Sequence, residues 1–321
     1  MAGTFIDIVE RVDNFPYYEL HNSANNDEAI KSLWQFFLLD DERPVGYIHS
    51  SVIELMPWTT KFHLDKERRH VRLQVAAEGD PAHRQLKVAI SELLDIARDK
   101  GIFPLGGYGE EQYAILGTSY QALSIDRAGH NLFGTTGRGV HMTVYTRTDT
   151  GIKIWVPRRS QTVWTHRGLL DNSIAGGVSS GEFPGECIVR EAAEEARLPE
   201  DLVRNAIKPC GLLSWMYLKT PQSESDYGSV SPCVQYLYEM EVPGDIQLTP
   251  GEDGEVEQYY LWDIDQVQKA MMNGEFKTSC ALVLVEFFIR HGYITAENER
   301  NFAELNARMH RKLPFETFYE G

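Results

Sequence analysis

The stretch Gly176-Gly177-Val178-Ser179-Ser180-Gly181-Glu182-Phe183-Pro184-Gly185-Glu186-Cys187-Ile188-Val189-Arg190-Glu191-Ala192-Ala193-Glu194-Glu195 decides the fold of this chain. It begins as a glycine-bearing loop and ends as an acidic segment with helical spacing. At about 100° per residue, Glu191, Glu194 and Glu195 fall within roughly a 100° arc. Val189, Ala192, Ala193 and Ala196 fall on the other side, with Ile188 at the margin. That apolar side is small enough to pack closely on a sheet. Pro184 suits a first helical turn, and Pro199 biases Leu198 away from helix.

The opposite side gathers three like charges within reach of one another. Glutamates at this spacing repel and weaken an isolated helix. A divalent cation removes the penalty, and ligation by oxygen alone suits Mg²⁺ or Mn²⁺. A solvated acidic face without a metal is the plainer alternative.

The spacing resembles the motif of the Nudix hydrolases: Gly, five residues, Glu, seven residues, Arg-Glu, an apolar residue, any residue, Glu-Glu, any residue, Gly, apolar. Gly176, Glu182, Arg190, Glu191, Ala192, Glu194, Glu195 and Leu198 match it. Arg197 stands where that family has glycine, and Pro199 is expected to end the helix instead. The resemblance covers about residues 135–292 and implies an α/β/α sandwich, that is, an α/β (α+β) fold, with a smaller mixed α/β domain before it. It also implies hydrolysis of a diphosphate linked to another moiety, with Mg²⁺ or Mn²⁺ as cofactor.

Further segments are similar to a narrower group, the thiamine-pyrophosphokinase-related Nudix proteins, which carry an N-terminal domain. They are Val45-Gly46-Tyr47-Ile48, Val140-His141-Met142, Ile154-Trp155-Val156-Pro157-Arg158-Arg159-Ser160, Leu170-Asp171-Asn172 and Cys280-Ala281-Leu282-Val283. This second resemblance implies thiamine diphosphate, or its damaged oxo and oxy analogues, as substrate, with the monophosphate and phosphate as products. ADP-ribose or another nucleoside diphosphate derivative is the alternative within the family. A non-catalytic Nudix-fold binding protein is the alternative of another class, disfavoured because every motif glutamate is present.

The resemblance also suggests roles. Glu191, Glu194 and Glu195 are the expected metal ligands, joined by a backbone carbonyl near Ala175 or Gly176. Glu194 is a third ligand or the group that deprotonates water. Glu182 and Arg190 are expected to orient the loop and the glutamates. Glu255, in an acidic turn, is the candidate for a further catalytic carboxylate. Arg158 and Arg159 follow a strand and could grip phosphate oxygens. Trp155 and Asn172 are expected on the substrate, with Trp164, Trp215 and Tyr217 as further stacking candidates. His141 and His166 read as structural.

Composition bounds the rest. The chain has 321 residues, 42% hydrophobic and 24% charged, as a globular protein does. Its net charge of −16 argues against general binding to nucleic acid or anionic membranes. An anionic small substrate is still compatible, since a bound metal reverses the local sign. Cys187, Cys210, Cys233 and Cys280 lack metal-site spacing and read as free thiols of a reducing compartment. No secretory pattern opens the sequence, so a cytoplasmic location is expected. Homodimerisation is left open.

Along the chain, residues 1–130 are expected to form the N-terminal domain, 131–292 the hydrolase domain and 293–321 a helical tail on the surface. Asp27–Phe37 includes a helical stretch, and Phe36–Ile48 reads as two strands around an acidic turn. Ala82–Lys100 has helical periodicity, stopped by Gly101. Gly106-Gly107-Tyr108 reads as a turn, before a strand at Gln112–Leu116. Val140–Arg147, Ile152–Pro157, Leu212–Lys219, Cys233–Val242 and Val256–Leu261 read as strands, and Asp263–Asn273 and Ser279–His291 as helices. The polar loop Thr220–Gly228 is long enough to shape a pocket.

Overall fold

A computed structural model describes residues 3–17, 30–39, 41–75, 82–105, 111–120, 123–221 and 227–318. Helix α1 (Phe5–Val12) opens with Thr4 and Asp7 capping each other's backbone amides. Next come β1 (Leu33–Leu38), β2 (Gly46–His49), α2 (Ser50–Leu55), β3 (Phe62–Asp65), β4 (His70–Leu73) and α3 (Ala82–Asp99). β1 pairs antiparallel with β2 and parallel with β4, which gives a four-stranded sheet ordered β2-β1-β4-β3. The hairpin-like pairing of β1 and β2 is as expected. Within Asp27–Phe37, expected to include a helical stretch, residues 30 and 31 are helical and Leu33-Trp34-Gln35-Phe36-Phe37-Leu38 is strand. Its aromatic and apolar run fits a pleated, buried surface better than a helical stripe. α3 lays Leu86, Ile90, Leu93 and Leu94 on this sheet, and Gly101, at φ 63°, ends it.

A two-stranded sheet, β5 (Gln112–Ala114) with β6 (Ser124–Asp126), leads into α4 (Arg127–Phe133). His130 of α4 is buried, with Nδ1 2.9 Å from the Thr135 hydroxyl. Burial, aided by Arg127, lowers its pKa to about 4. The unfolded chain therefore holds more protons than the native state between the ordinary histidine value and pH 4, and stability falls as pH falls through that window. A loss of roughly 3 kcal/mol is expected between pH 7 and 4 from this residue. Urea midpoints across that range should show it, and His130→Asn should flatten the slope.

The large sheet follows. Its strands are β7 (Gly137–Thr148), β8 (Gly151–Arg159), β9 (Ile174–Gly177), β10 (Lys208–Lys219), β11 (Ser229–Glu241) and β12 (Val256–Asp263). The order is β10-β11-β7-β8-β12, and β9 pairs with the first half of β7, whose second half pairs with β8. Helices α5 (Pro184–Ala196) and α6 (Glu200–Ala206) lie between β9 and β10; α7 (Ile264–Met272), α8 (Thr278–Arg290) and α9 (Phe302–Met309) come after β12.

Strand alternation sorts two cores onto the two faces. Val140, Met142, Val144 and Trp155 pack with Cys187, Ile188, Val189, Ala192 and Ala196 of α5. Tyr145, Ile154 and Val156 face α8, through Leu284, Phe287 and Phe288. The result is a mixed sheet between helical layers. Among the described residues no helix is long and apolar enough to cross a membrane.

The first and last described helices are built into this body. Ile8, Val9 and Val12 of α1 and Leu305 and Met309 of α9 sit in the α8-side core. The tail helix is thus anchored by buried residues as well as lying on the surface. Asp13, just past α1, accepts from Arg311 Nε at 2.5 Å and from the Met216 amide at 3.0 Å. Leu313 and Phe315 join Phe15, Tyr47 and Met216 in a small cluster between the N-terminal sheet and β10. The acidic turn at Asp40, the Gly106-Gly107-Tyr108 turn and residues 222–226 of the polar loop lie outside the described residues.

Candidate functional site

β9 carries the chain to the sheet's inner edge and the glycine loop turns it into α5. Pro184 occupies the first turn of α5, as its fixed φ favours. The other end departs from expectation. Arg197 itself takes the left-handed conformation, φ 52°, that closes α5, and Pro199 instead caps α6. A side chain in that conformation is strained by its Cβ. Arg197→Gly should therefore raise stability by about 1 kcal/mol, read as a shift in the denaturant midpoint; no shift would mean that the Arg197–Glu252 contact at 3.6 Å offsets the strain.

The motif side chains are organised by one guanidinium. Arg190 donates to Glu182 Oε1 at 2.9 Å and Oε2 at 3.2 Å, and to Glu194 Oε2 at 2.8 Å, with Glu191 Oε1 3.0 Å away. Glu182 in turn accepts from the Ser179 amide at 3.3 Å. Arg190 thus ties the loop to the helix. Glu191 rests its carboxylate directly on Gly176: a Cβ there would meet Glu191 Cγ at 2.5 Å and both nearer carboxyl atoms. Only glycine allows this approach.

The three helix glutamates differ in environment. Glu194 is half exposed. Glu191 is largely buried, and burial, with Glu194 and Glu255 nearby, pushes its pKa up to about 7 against the pull of Arg190. Glu195 is 6% exposed and accepts from the Ala175 amide at 3.0 Å. Burial, followed by the charges of Glu191 and Asp171, holds its carboxyl well above the usual range. Its position was not legible from the helical arc, which grouped it with Glu191 and Glu194 away from the apolar side. Packing of α5 against β9 is what buries it.

Glu255 precedes β12 and adds its charge to both Glu191 and Glu195. The structure therefore brings this fourth carboxylate to the group, 3.9 Å from Arg159. Among the described residues no three His, Cys, Asp or Glu side chains already converge as a finished metal cage. The donor chemistry fits a hard divalent cation nonetheless. All the donors are oxygens, and two buried acids are destabilised by lack of positive charge, which a cation would supply.

The expected substrate contacts fare differently. Arg159 is engaged, through Nη1, with Asp171 Oδ2 at 3.0 Å. Arg158 donates to Tyr260 Oη at 3.1 Å and the Gly168 carbonyl at 2.7 Å. Trp155 is a core residue, because alternation along β8 turns it toward α5, so it offers no stacking face. Asn172 is also buried, and its amide donates to the Cys280 carbonyl at 3.3 Å, tying the β9 approach to α8. Trp215 is buried, whereas Trp164 and Tyr217 are exposed.

Two charged residues escaped sequence reasoning. Burial alone would raise the pKa of Asp171, but Lys277 and Arg159 outweigh it and hold it down to about 2. Asp171 also accepts from the Cys280 thiol at 2.5 Å. Lys277 stands at the start of α8, its amide bonded to the Leu170 carbonyl at 2.9 Å. No spacing links residues 171 and 277; only the fold joins them. The four cysteines are free, and burial pushes Cys187 and Cys280 thiols up, away from nucleophilic character.

Comparison with known proteins agrees with this geometry. Residues 136–281 match the model of the NUDIX domain. The chain is 33% identical to the uncharacterized protein YJR142W of Saccharomyces cerevisiae, over 98% of this chain and 92% of that protein. It is 30% identical to Nudix hydrolase 20, chloroplastic, of Arabidopsis thaliana, over 92% of this chain and 78% of that protein. Nudix hydrolase 24, chloroplastic, of the same plant is 32% identical, over 80% of this chain and 68% of its own length.

Proposed function

Since the chain belongs to the Nudix hydrolase family and is a phosphoanhydride-hydrolysing enzyme of small molecules, we propose that it cleaves thiamine diphosphate, or the damaged oxo and oxy analogues of that coenzyme, to the monophosphate and phosphate. The observation that carries hydrolysis is the carboxylate group of Glu191, Glu194, Glu195 and Glu255 around Gly176. What supports a thiamine-type substrate is the similarity of the segments around Val140, Trp155, Leu170 and Cys280 to the thiamine-pyrophosphokinase-related group.

In this proposal Glu191, Glu195, Glu194 and the Gly176 carbonyl hold Mg²⁺ or Mn²⁺. The ion would shield the diphosphate's charge and acidify a water molecule. Glu194, the most exposed of the three, takes the proton of the attacking water onto a carboxylate oxygen, with Glu255 as the alternative acceptor. Arg190 keeps Glu194 and Glu191 in place while charge shifts. Arg159, 3.9 Å from Glu255, favours the departing phosphate. We further propose that residues 1–130 and 131–292 act as two units of one enzyme, in a cytoplasmic setting.

Phosphate release from thiamine diphosphate, oxythiamine diphosphate and ADP-ribose, each with Mg²⁺, tests the proposal. Higher kcat/KM on the thiamine-type compounds is the expected result. Preference for ADP-ribose would overturn the substrate while leaving the reaction class intact.

A further inference from the structure

Strand β9 ends in two adjacent glycines, and alternation turns their bare Cα atoms to opposite faces of the sheet. The Gly176 face meets α5, and the Glu191 carboxylate rests on it. The Gly177 face meets the N-terminal part. A Cβ on Gly177 would lie 2.9 Å from Tyr113 Cζ, closer still to the Tyr113 hydroxyl, and 3.1 Å from Glu111 Oε1. Its nearest neighbours therefore all belong to residues 111 and 113. At this point β9 is bare backbone, with Tyr113 on one side and Glu191 on the other.

Among the described residues β9 is four residues long and pairs with β7 alone. Side chains of α5 meet it as well: the Ala175 amide donates to Glu195 at 3.0 Å, and the Gly177 carbonyl accepts from the Cys187 thiol at 3.2 Å. The glycine loop that follows is tied on two sides. On the α5 side, Glu182 is held by Arg190 and accepts from the Ser179 amide. On the other side, the Ser180 amide donates at 2.7 Å to the carbonyl of Gln112, the residue between Glu111 and Tyr113. The N-terminal anchor is itself braced by α4. Arg127 Nη1 holds the Glu111 carboxylate at 2.6 Å, and the Arg127 amide donates to the Glu111 carbonyl at 2.9 Å. The buried Tyr113 ring packs edge-on against His130, with centroids 5.5 Å apart. A glycine-rich strand and loop have much conformational freedom to lose, and this second anchor takes it away from the side opposite the carboxylates.

We propose that Tyr113 is a positioning residue of the hydrolytic site: together with the Gln112 carbonyl it backs Gly177 and Ser180, so that the Gly176 carbonyl and the Glu191 carboxylate keep the spacing a divalent cation needs. The proposal rests on the hydrolase reading above and gives the N-terminal part a task in it. Tyr113 acts through the strand, from the face away from Glu191. Groups that orient metal ligands from behind commonly govern metal affinity by 10–100-fold, because the ligands must be held close to their working geometry before the ion arrives.

Gly177→Ala drives a methyl into the Tyr113 contact without a left-handed backbone to strain, since Gly177 is not at positive φ. Adding Tyr113→Leu removes the ring atoms that the methyl meets. Three measurements on the full chain apply: calorimetric titration with Mn²⁺ and no substrate, hydrogen exchange of the amides of residues 177–183, and kcat and KM with Mg²⁺ on the preferred one of thiamine diphosphate, oxythiamine diphosphate and ADP-ribose. Gly177→Ala is expected to bind Mn²⁺ about tenfold more weakly, to exchange these amides about tenfold faster, and to lose about tenfold in kcat with KM within about threefold of wild type. The double variant should regain most of each loss. Wild-type Mn²⁺ affinity in folded Gly177→Ala would overturn the proposal, as would a double variant no better than the single one, or a wild type that binds no Mn²⁺. If Gly177→Ala does not fold, Tyr113→Leu alone decides: weaker Mn²⁺ binding with faster exchange supports positioning, and wild-type values overturn it. If the wild type binds Mn²⁺ but hydrolyses none of the three compounds, the hydrolase reading fails instead, and the Mn²⁺ and exchange measurements still decide the role of Tyr113.

Discussion

Replacing Glu191 by glutamine is expected to lower turnover by about 10²–10⁴-fold while making the metal-free protein more stable. The two effects share one cause. Glu191 is largely buried against Gly176, and burial and neighbouring carboxylates raise its pKa to about 7. Such a group favours folding below the ordinary carboxylate value, and that contribution is lost as pH rises through about 7. At pH 8 the wild-type carboxylate is ionised in a site that resists its charge. Glutamine, neutral and of the same shape, removes that cost, worth on the order of 2 kcal/mol. Arg190 keeps Glu182 and Glu194 as partners, so the loop stays tied. Melting in the presence of a chelator should show a higher Tm for the variant at pH 8 and little difference at pH 5. Added Mg²⁺ should stabilise the wild type more than the variant. Turnover within about threefold of wild type would remove Glu191 from the catalytic group.

The second large effect lies far from the carboxylates. Arg311→Met is expected to cost about 3–5 kcal/mol of stability. Arg311 and Asp13 form an ion pair with both side chains almost wholly buried, 7% and 0% exposed. Asp13 also accepts from Tyr17 Oη at 2.5 Å and from the Met216 amide, while Arg311 stacks 3.5 Å over the Tyr17 ring. Methionine preserves much of the apolar stem but strands a buried carboxylate. The double variant Asp13→Asn, Arg311→Met should recover most of the loss, because no charge is then left alone. Denaturant unfolding of the single and double variants measures this. A single-variant loss under about 1 kcal/mol would show that water reaches Asp13.

These two cases show how far sequence carries. The hydrolase reading came from the resemblance of residues 176–198 to the Nudix motif, and the grouping of its Glu191, Glu194 and Glu195 was legible because they lie within two turns of one helix, where periodicity is local. Strands β7, β8, β10, β11 and β12 were legible from their apolar runs. The N-terminal part was harder. β3, β4 and β6 are three or four residues long, too short for a periodic signal, and β1 was half hidden under an expected helix. Trp155 and Asn172 were misplaced for a different reason. Residue type suggests a ligand contact, but only the pleat of β8 and the approach of α8 decide that both are buried.

By itself, the sequence determined the elements that carry the motif: the acidic helix and most of the strands around it follow from periods of two and 3.6 residues that act over short range. Tertiary structure alone decided which of those carboxylates is buried, that Asp171 is held by Arg159 under the charge of Lys277, that Asp13 is neutralised by Arg311, and that Tyr113 reaches Gly177. Each of these joins residues distant in the chain, and such pairings are set by packing of whole elements rather than by any local preference of the backbone.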